Sequence, residues 1–145
     1  QMPPGLRIVP KGTGGTKVVY EDDKPSTTWR AAFLKFGHGY HMAVAKWIDG
    51  AIHWDSMYEH DVKAGTWKGG DLAAFKDAWI QEFLAKSKHR PRPEADGLLR
   101  MTLATADEKT EPDGSVVLVT HPEFGGNVFR FRKVGEHWFI VGIDQ

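Results

Sequence analysis

A chain of 145 residues is the size of one domain, and at this length roughly 68–70% of the unfolded surface can be buried, enough for a real core. Nineteen basic against nineteen acidic residues leave no net charge, so the overall balance has nothing to attract nucleic acid or an anionic membrane. The lack of cysteine excludes disulfides, thiolate zinc sites and a cysteine nucleophile, and no apolar run approaches the roughly 20 residues of a membrane span.

The first residues do not have the charged-then-apolar layout of a signal peptide. Gln1 ahead of Met2 is read as the trace of a removed leader or of a start within a longer gene, with a lean toward an exported, soluble mature form. Leu6 to Val9 and Lys17 to Tyr20 are short β-branched runs around a glycine-rich loop, which predicts a hairpin or arm. Strand rather than helix follows those glycines, so the phosphate-loop arrangement is not met. Ser26 or Thr27 after Pro25 suits a helix N-cap. Trp29, Ala32, Phe33, Phe36, Tyr40, Ala43, Val44, Trp47 and Ile48 then follow the spacing of one buried helical stripe, stopped at Asp49-Gly50. Gly37 and Gly39 inside that stripe mark either a kink or a close approach of another group.

A shorter helix is predicted from Ala51 to about His60, and a short strand from Val62 to Trp67. Lys68 to Asp71 forms a turn whose aspartate caps a helix from Leu72 to about Lys86, ended by Pro91 and Pro93. From Leu98 onward the period becomes strand-like. Leu98 to Thr105, Ser115 to His121, Asn127 to Val134 and His137 to Ile143 read as four strands joined by hairpins, the last through Gly135-Glu136. The expected inward face holds Leu99, Met101 and Leu103, Val117 and Val119, Phe129 and Phe131, then Phe139, Val141 and Ile143. The fold class is therefore α+β. A curved antiparallel sheet is expected to wrap around N-terminal helices and leave a conical cavity, with residues 1–25 as an arm and 26–145 as a single domain.

Two stretches carry a family likeness. Gly65-Thr-Trp-Lys-Gly-Gly-Asp-Leu-Ala-Ala-Phe75 and the closing hairpin Phe131-Arg-Lys-Val-Gly-Glu-His-Trp-Phe-Ile-Val-Gly-Ile-Asp144 resemble corresponding parts of the NTF2-like, or SnoaL-like, cystatin-type superfamily. The likeness runs from about Ser26 to Asp144. It implies a cone-shaped α+β domain, and a superfamily that holds isomerases, dehydratases, cyclases and epoxide hydrolases beside transport factors, immunity proteins and non-enzymatic pocket modules. Its ketosteroid-isomerase-like members place a carboxylate base before the glycine turn. Here that region reads Lys63-Ala-Gly-Thr-Trp67, without a carboxylate.

The stretch from Trp29 to Asp61 concentrates chemistry, with four of the seven histidines. His38 and His41 have the i, i+3 spacing of a metal pair, but ordinary hydrogen-bonded histidines suit the pattern better, and neither a metal site nor a cofactor is assigned. His53, Asp55, His60 and Asp61 are the candidate acid–base groups. Helical residues one or two positions apart point in different directions, so neither His53 with Asp55 nor His60 with Asp61 is a ready dyad. Trp29, Tyr40, His41, Trp54, Tyr58 and Trp79 are the candidate ligand contacts, Tyr40 foremost, because tyrosine and tryptophan want a partner for a polar edge and a pocket mouth supplies one. The basic cluster of Lys86, Lys88, His89, Arg90 and Arg92 is read as a solvated linker, since no aromatics are interleaved to stack on bases. The expected function is a non-enzymatic NTF2-like domain binding a small apolar or aromatic ligand or a protein partner. The alternative is a SnoaL-type lyase, isomerase or hydrolase using histidine and aspartate on a hydrophobic small molecule. A homodimer is expected through the outer sheet face, with neither nucleic acid nor membrane as partner.

Overall fold

The computed structural model describes residues 24–88 and 91–145 in full, and the backbone of two further strands at 6–10 and 16–20. Strands β1 (Leu6–Pro10) and β2 (Thr16–Tyr20) pair antiparallel, as the β-branched runs predict; the glycine-rich loop between them lies outside the described residues. Helices α1 (Trp29–Met42), α2 (Ala45–Ala51), α3 (Trp54–Ala64), α4 (Leu72–Lys86) and α5 (Ala95–Thr105) follow, then strands β3 (Asp107–Thr110), β4 (Val116–Val119), β5 (Val128–Val134) and β6 (His137–Asp144). The last four strands form an open antiparallel sheet in the order β3-β4-β5-β6. The class is α+β, compatible with an NTF2-like arrangement.

Helix α1 starts where Thr28 accepts a hydrogen bond from the Ala31 amide at 3.1 Å, and its residues 31 to 39 are all buried. It is the helix around which the core is built. Phe33 meets Phe129 edge-on with ring centroids 5.2 Å apart, and Trp29 lies 5.3 Å from Phe131, so α1 packs along the inner face of β5. The single long helix expected from Trp29 to Ile48 is broken instead at Ala43, which takes a left-handed conformation (φ 58°) while the Val44 amide bonds back to the Gly39 carbonyl at 2.9 Å. Gly39 permits that reversal: a β-carbon there would stand 2.9 Å from the Ile48 backbone nitrogen. Of the two roles weighed for the glycines, close approach is the one observed.

Two predicted strands are helical. Residues 62 to 64 continue α3, which ends in a turn at Gly65, so the strand expected from Val62 to Trp67 is absent. Leu98 to Thr105 lies in α5, where the buried positions Ala95, Leu99 and Thr102 fall at i, i+4 and i+7 rather than on alternate residues. The alternation of Leu99, Met101 and Leu103 suits either structure; Leu99 settles it by seating on Gly37, whose missing β-carbon leaves the space.

The inward face of the sheet also differs from expectation. Val116 and Leu118, not Val117 and Val119, are buried in β4, because they stand opposite Phe131 and Phe129. In β6 the pairing skips Val141: Phe131 faces Ile140 and Arg130 faces Gly142. That bulge brings Ile140 and Ile143 to the same side although they are three residues apart. The outer edge of β6 is covered at one point, where the His53 amide donates to the Ile140 carbonyl at 3.0 Å and Ile52 bridges Ile140 in parallel.

Candidate binding cleft

Helix α4 forms as predicted, with Asp71 accepting from the Ala74 amide at 3.0 Å and thereby satisfying one of the free N–H groups of its first turn. It packs chiefly on α2 and α3, and only Phe75 among its residues is fully buried. Leu72, Ile80 and Leu84 pack against the core, whereas Trp79 and Phe83 also line open space. These two rings stack with centroids 4.1 Å apart, and Phe36 of α1 meets both. An aromatic wall thus stands between two concavities.

The first is a cleft of about 430 Å³ bounded by α1, α4, α5 and the ends of β4, β5 and β6. Its lining is mostly apolar: Phe33, Phe36, Phe83, Leu98, Leu99, Phe124, Phe129 and Ile143. Thr102 and Thr120 add hydroxyls that are already used, Thr102 donating to the Leu98 carbonyl at 2.8 Å and Thr120 accepting from the Asn127 amide at 2.8 Å. Among the described residues no buried side-chain polar atom lacks a partner. The remaining polar groups of this lining are Tyr40, His41, Lys86, Glu123, Asn127 and Gln145.

Behind the α1 wall lies His38, 1% exposed, with Nε2 2.7 Å from the Asp96 carboxylate of α5. A carboxylate only accepts, so this nitrogen carries the hydrogen. Burial holds the His38 pKa below its ordinary value, against the opposing pull of Asp96. Burial works to raise the Asp96 pKa, but its bonds to His38 and Arg100 prevail and lower it. His41 is also lowered, first by burial and then by the Arg92 guanidinium, which donates to its Nδ1 at 3.2 Å. The neutral imidazole therefore carries its hydrogen on Nε2.

The second cleft, of about 560 Å³, is bordered by His60, Asp61, Trp67, Trp79, Glu82 and Asp144, and shares Phe83, Lys86, Ile143 and Gln145 with the first. His60 is held from both sides, Nδ1 by Asp61 at 2.8 Å and Nε2 by Asp144 at 2.9 Å, and Arg130 donates to the other oxygen of Asp144 at 3.2 Å. Its ring lies against β6 where Gly142 has no side chain to exclude it.

The residues singled out in the sequence are thus dispersed, except that His60 and Asp61, not expected to face each other, are bonded through Nδ1. Tyr40 and His41 line the first cleft; His60, Asp61 and Trp79 line the second. Trp29 is in the core beneath the Arg30 guanidinium, 4.3 Å from its ring. Trp54 donates to the Asp49 carboxylate at 2.9 Å and Tyr58 to the Gly70 carbonyl at 3.1 Å, so both polar edges are satisfied within the fold. His53 caps α3, accepting from the Ser56 amide, and Asp55 is exposed in its first turn. His38 and His41 bond to different partners, and no group of three or more metal-ligating side chains occurs among the described residues.

Sequence reasoning missed Asp96, Phe124 and the cleft role of Lys86. Asp96 and Arg100 have the i, i+4 spacing of a helical ion pair, but that signal was hidden by the strand reading of the same segment. Compared with known protein families, curated proteins and solved structures, the chain matches none.

Proposed function

We propose that the chain is a non-enzymatic, NTF2-like domain that binds a small apolar or aromatic molecule in the first cleft. One observation carries this reading: a concavity of about 430 Å³, within the size range of small-molecule sites, is walled by aromatic and aliphatic side chains and contains none of the four candidate acid–base residues. Its one imidazole, His41, has its acceptor nitrogen taken by Arg92 and is left a donor rather than a base. In an NTF2-like cone this cleft would be the space between helices and sheet.

The alternative, acid–base catalysis on a hydrophobic substrate, draws on His60, Asp61 and Asp144 gathered at the second cleft. Against it, both ring nitrogens of His60 face carboxylate oxygens, which only accept, so neither presents a free lone pair to a substrate. Pairing of two chains through the outer sheet face belongs to the same proposal; Arg130 and Arg132 are exposed there, so such a contact is polar at β5, and light scattering at high concentration reads its mass.

Titration with decanol, followed by amide NMR shifts, tests the ligand reading. Saturable shifts centred on Phe36, Leu99 and Phe129 are expected. Absence of saturable shifts, or shifts confined to the surroundings of His60, overturns it.

A further inference from the structure

Three hydrogen-bond donors border the first cleft near Phe83, two of them against its ring and the third against Tyr40. Tyr40 meets Phe83 edge-on with centroids 5.9 Å apart, and its hydroxyl has no hydrogen-bond partner among the described residues. The Lys86 ammonium stands 5.0 Å from the centre of the same Phe83 ring. Glu82 approaches that ammonium only to 3.7 Å, in an exposed i, i+4 pair of the kind that contributes little. The His41 ring packs on Tyr40 at 4.9 Å, and with Nδ1 bound to Arg92 it presents an Nε2–H. These donors border one end of the cleft; the rest of the lining is mostly apolar, with Thr102, Thr120, Glu123, Asn127 and Gln145 as its other polar groups.

A hydroxyl without an acceptor, an imidazole N–H and a loosely paired cation are satisfied together by a group that only accepts and carries negative charge. Granted the small-molecule reading above, we propose that the ligand is an amphiphile whose apolar body fills the cleft and whose single carboxylate head is received by Tyr40, His41 and Lys86. The charge balance limits the head to one negative charge. Lys86 is the one cation bordering the cleft among the described residues, Arg92 stands behind His41, and Glu82 and Glu123 both border this region, so a dianion would meet more repulsion than neutralisation. Burial and the Arg92 charge keep His41 neutral, which makes it a donor to the head rather than a second cation.

Calorimetric titration of the protein with decanoate and with decanol separates the two readings. Decanoate is expected to bind about fivefold more tightly than decanol at low salt, as suits a partly exposed ion pair. The preference should shrink toward unity in Lys86→Met, which keeps an apolar stem over Phe83, and fall in part in Tyr40→Phe. Equal affinity of the unaltered protein for both probes overturns the head-group assignment and leaves the apolar cleft standing. Binding of neither probe overturns the cleft reading itself, and the head group with it. A decanoate preference that persists in both variants overturns the assignment of the head to these residues.

Discussion

Nε2 of His38 lies 2.7 Å from Oδ1 of Asp96, and this bond ties α1 to α5 where the imidazole is 1% exposed. Arg100 donates to the second Asp96 oxygen at 3.1 Å, so the carboxylate is held from both sides. Removing it leaves a buried N–H without its acceptor. Asp96→Ala is expected to destabilise the fold by about 1–3 kcal/mol, and Asp96→Asn, which retains an accepting oxygen, by less. Urea unfolding of the two variants against the parent chain checks the order.

The lowered pKa values of His38 and His41 make stability depend on pH in a stated direction. Each histidine takes up a proton more readily when unfolded, so stability is full above the ordinary value of 6.5 and falls as pH drops from there through the folded values. The slope is at most about 1.4 kcal/mol per pH unit for each group. Asp96, also lowered, adds a loss at more acid pH, as the medium passes from its ordinary 3.8 through its folded value. Urea midpoints should therefore decrease between about pH 7.5 and 5.5, and the decrease should be smaller in His38→Gln.

Gly39 stands where α1 turns back into α2, and a β-carbon there meets the Ile48 backbone nitrogen at 2.9 Å. Backbone cannot swing aside as a side-chain tip can. Gly39→Ala is expected to destabilise by about 1–2 kcal/mol, overpacking outweighing the roughly 1 kcal/mol gain in helix propensity. Thermal unfolding followed by circular dichroism measures the net sign.

His60 borders the second cleft rather than the first. His60→Asn should therefore leave decanol affinity within about twofold of the parent, because the partners of His60, Asp61 and Asp144, do not line the first cleft. A larger loss in calorimetric titration would place the ligand in the cleft of His60.

Features governed by neighbours in the chain were legible from the sequence. Asp71 caps α4 because its side chain reaches an amide three residues on, and Gly135 (φ 65°) turns β5 into β6 because only two residues are available to reverse direction. The stripe of Trp29, Ala32, Phe33 and Phe36 was legible for the same reason, since helical periodicity alone brings those side chains to one face. The candidate site was legible only at Tyr40 and His41, which border the first cleft, because a residue's type does not reveal what it will meet. Trp54 and Tyr58 have polar edges that a pocket would suit, yet both find acceptors inside the fold.

By itself, then, the sequence determined the α+β class, the Asp71 cap of α4 and the closing hairpin, while the cap of α1 fell on Thr28 rather than on Ser26 or Thr27. Tertiary structure decided whether Leu98 to Thr105 is strand or helix, through the fit of Leu99 on Gly37 and the bond from His38 to Asp96. It also decided which face of β4 is buried, since strand parity follows from register with β5, and it placed Ile140 and Ile143 together through the bulge at Val141. The cleft depends on all three, because its walls come from segments far apart in the chain and no local pattern encodes their approach.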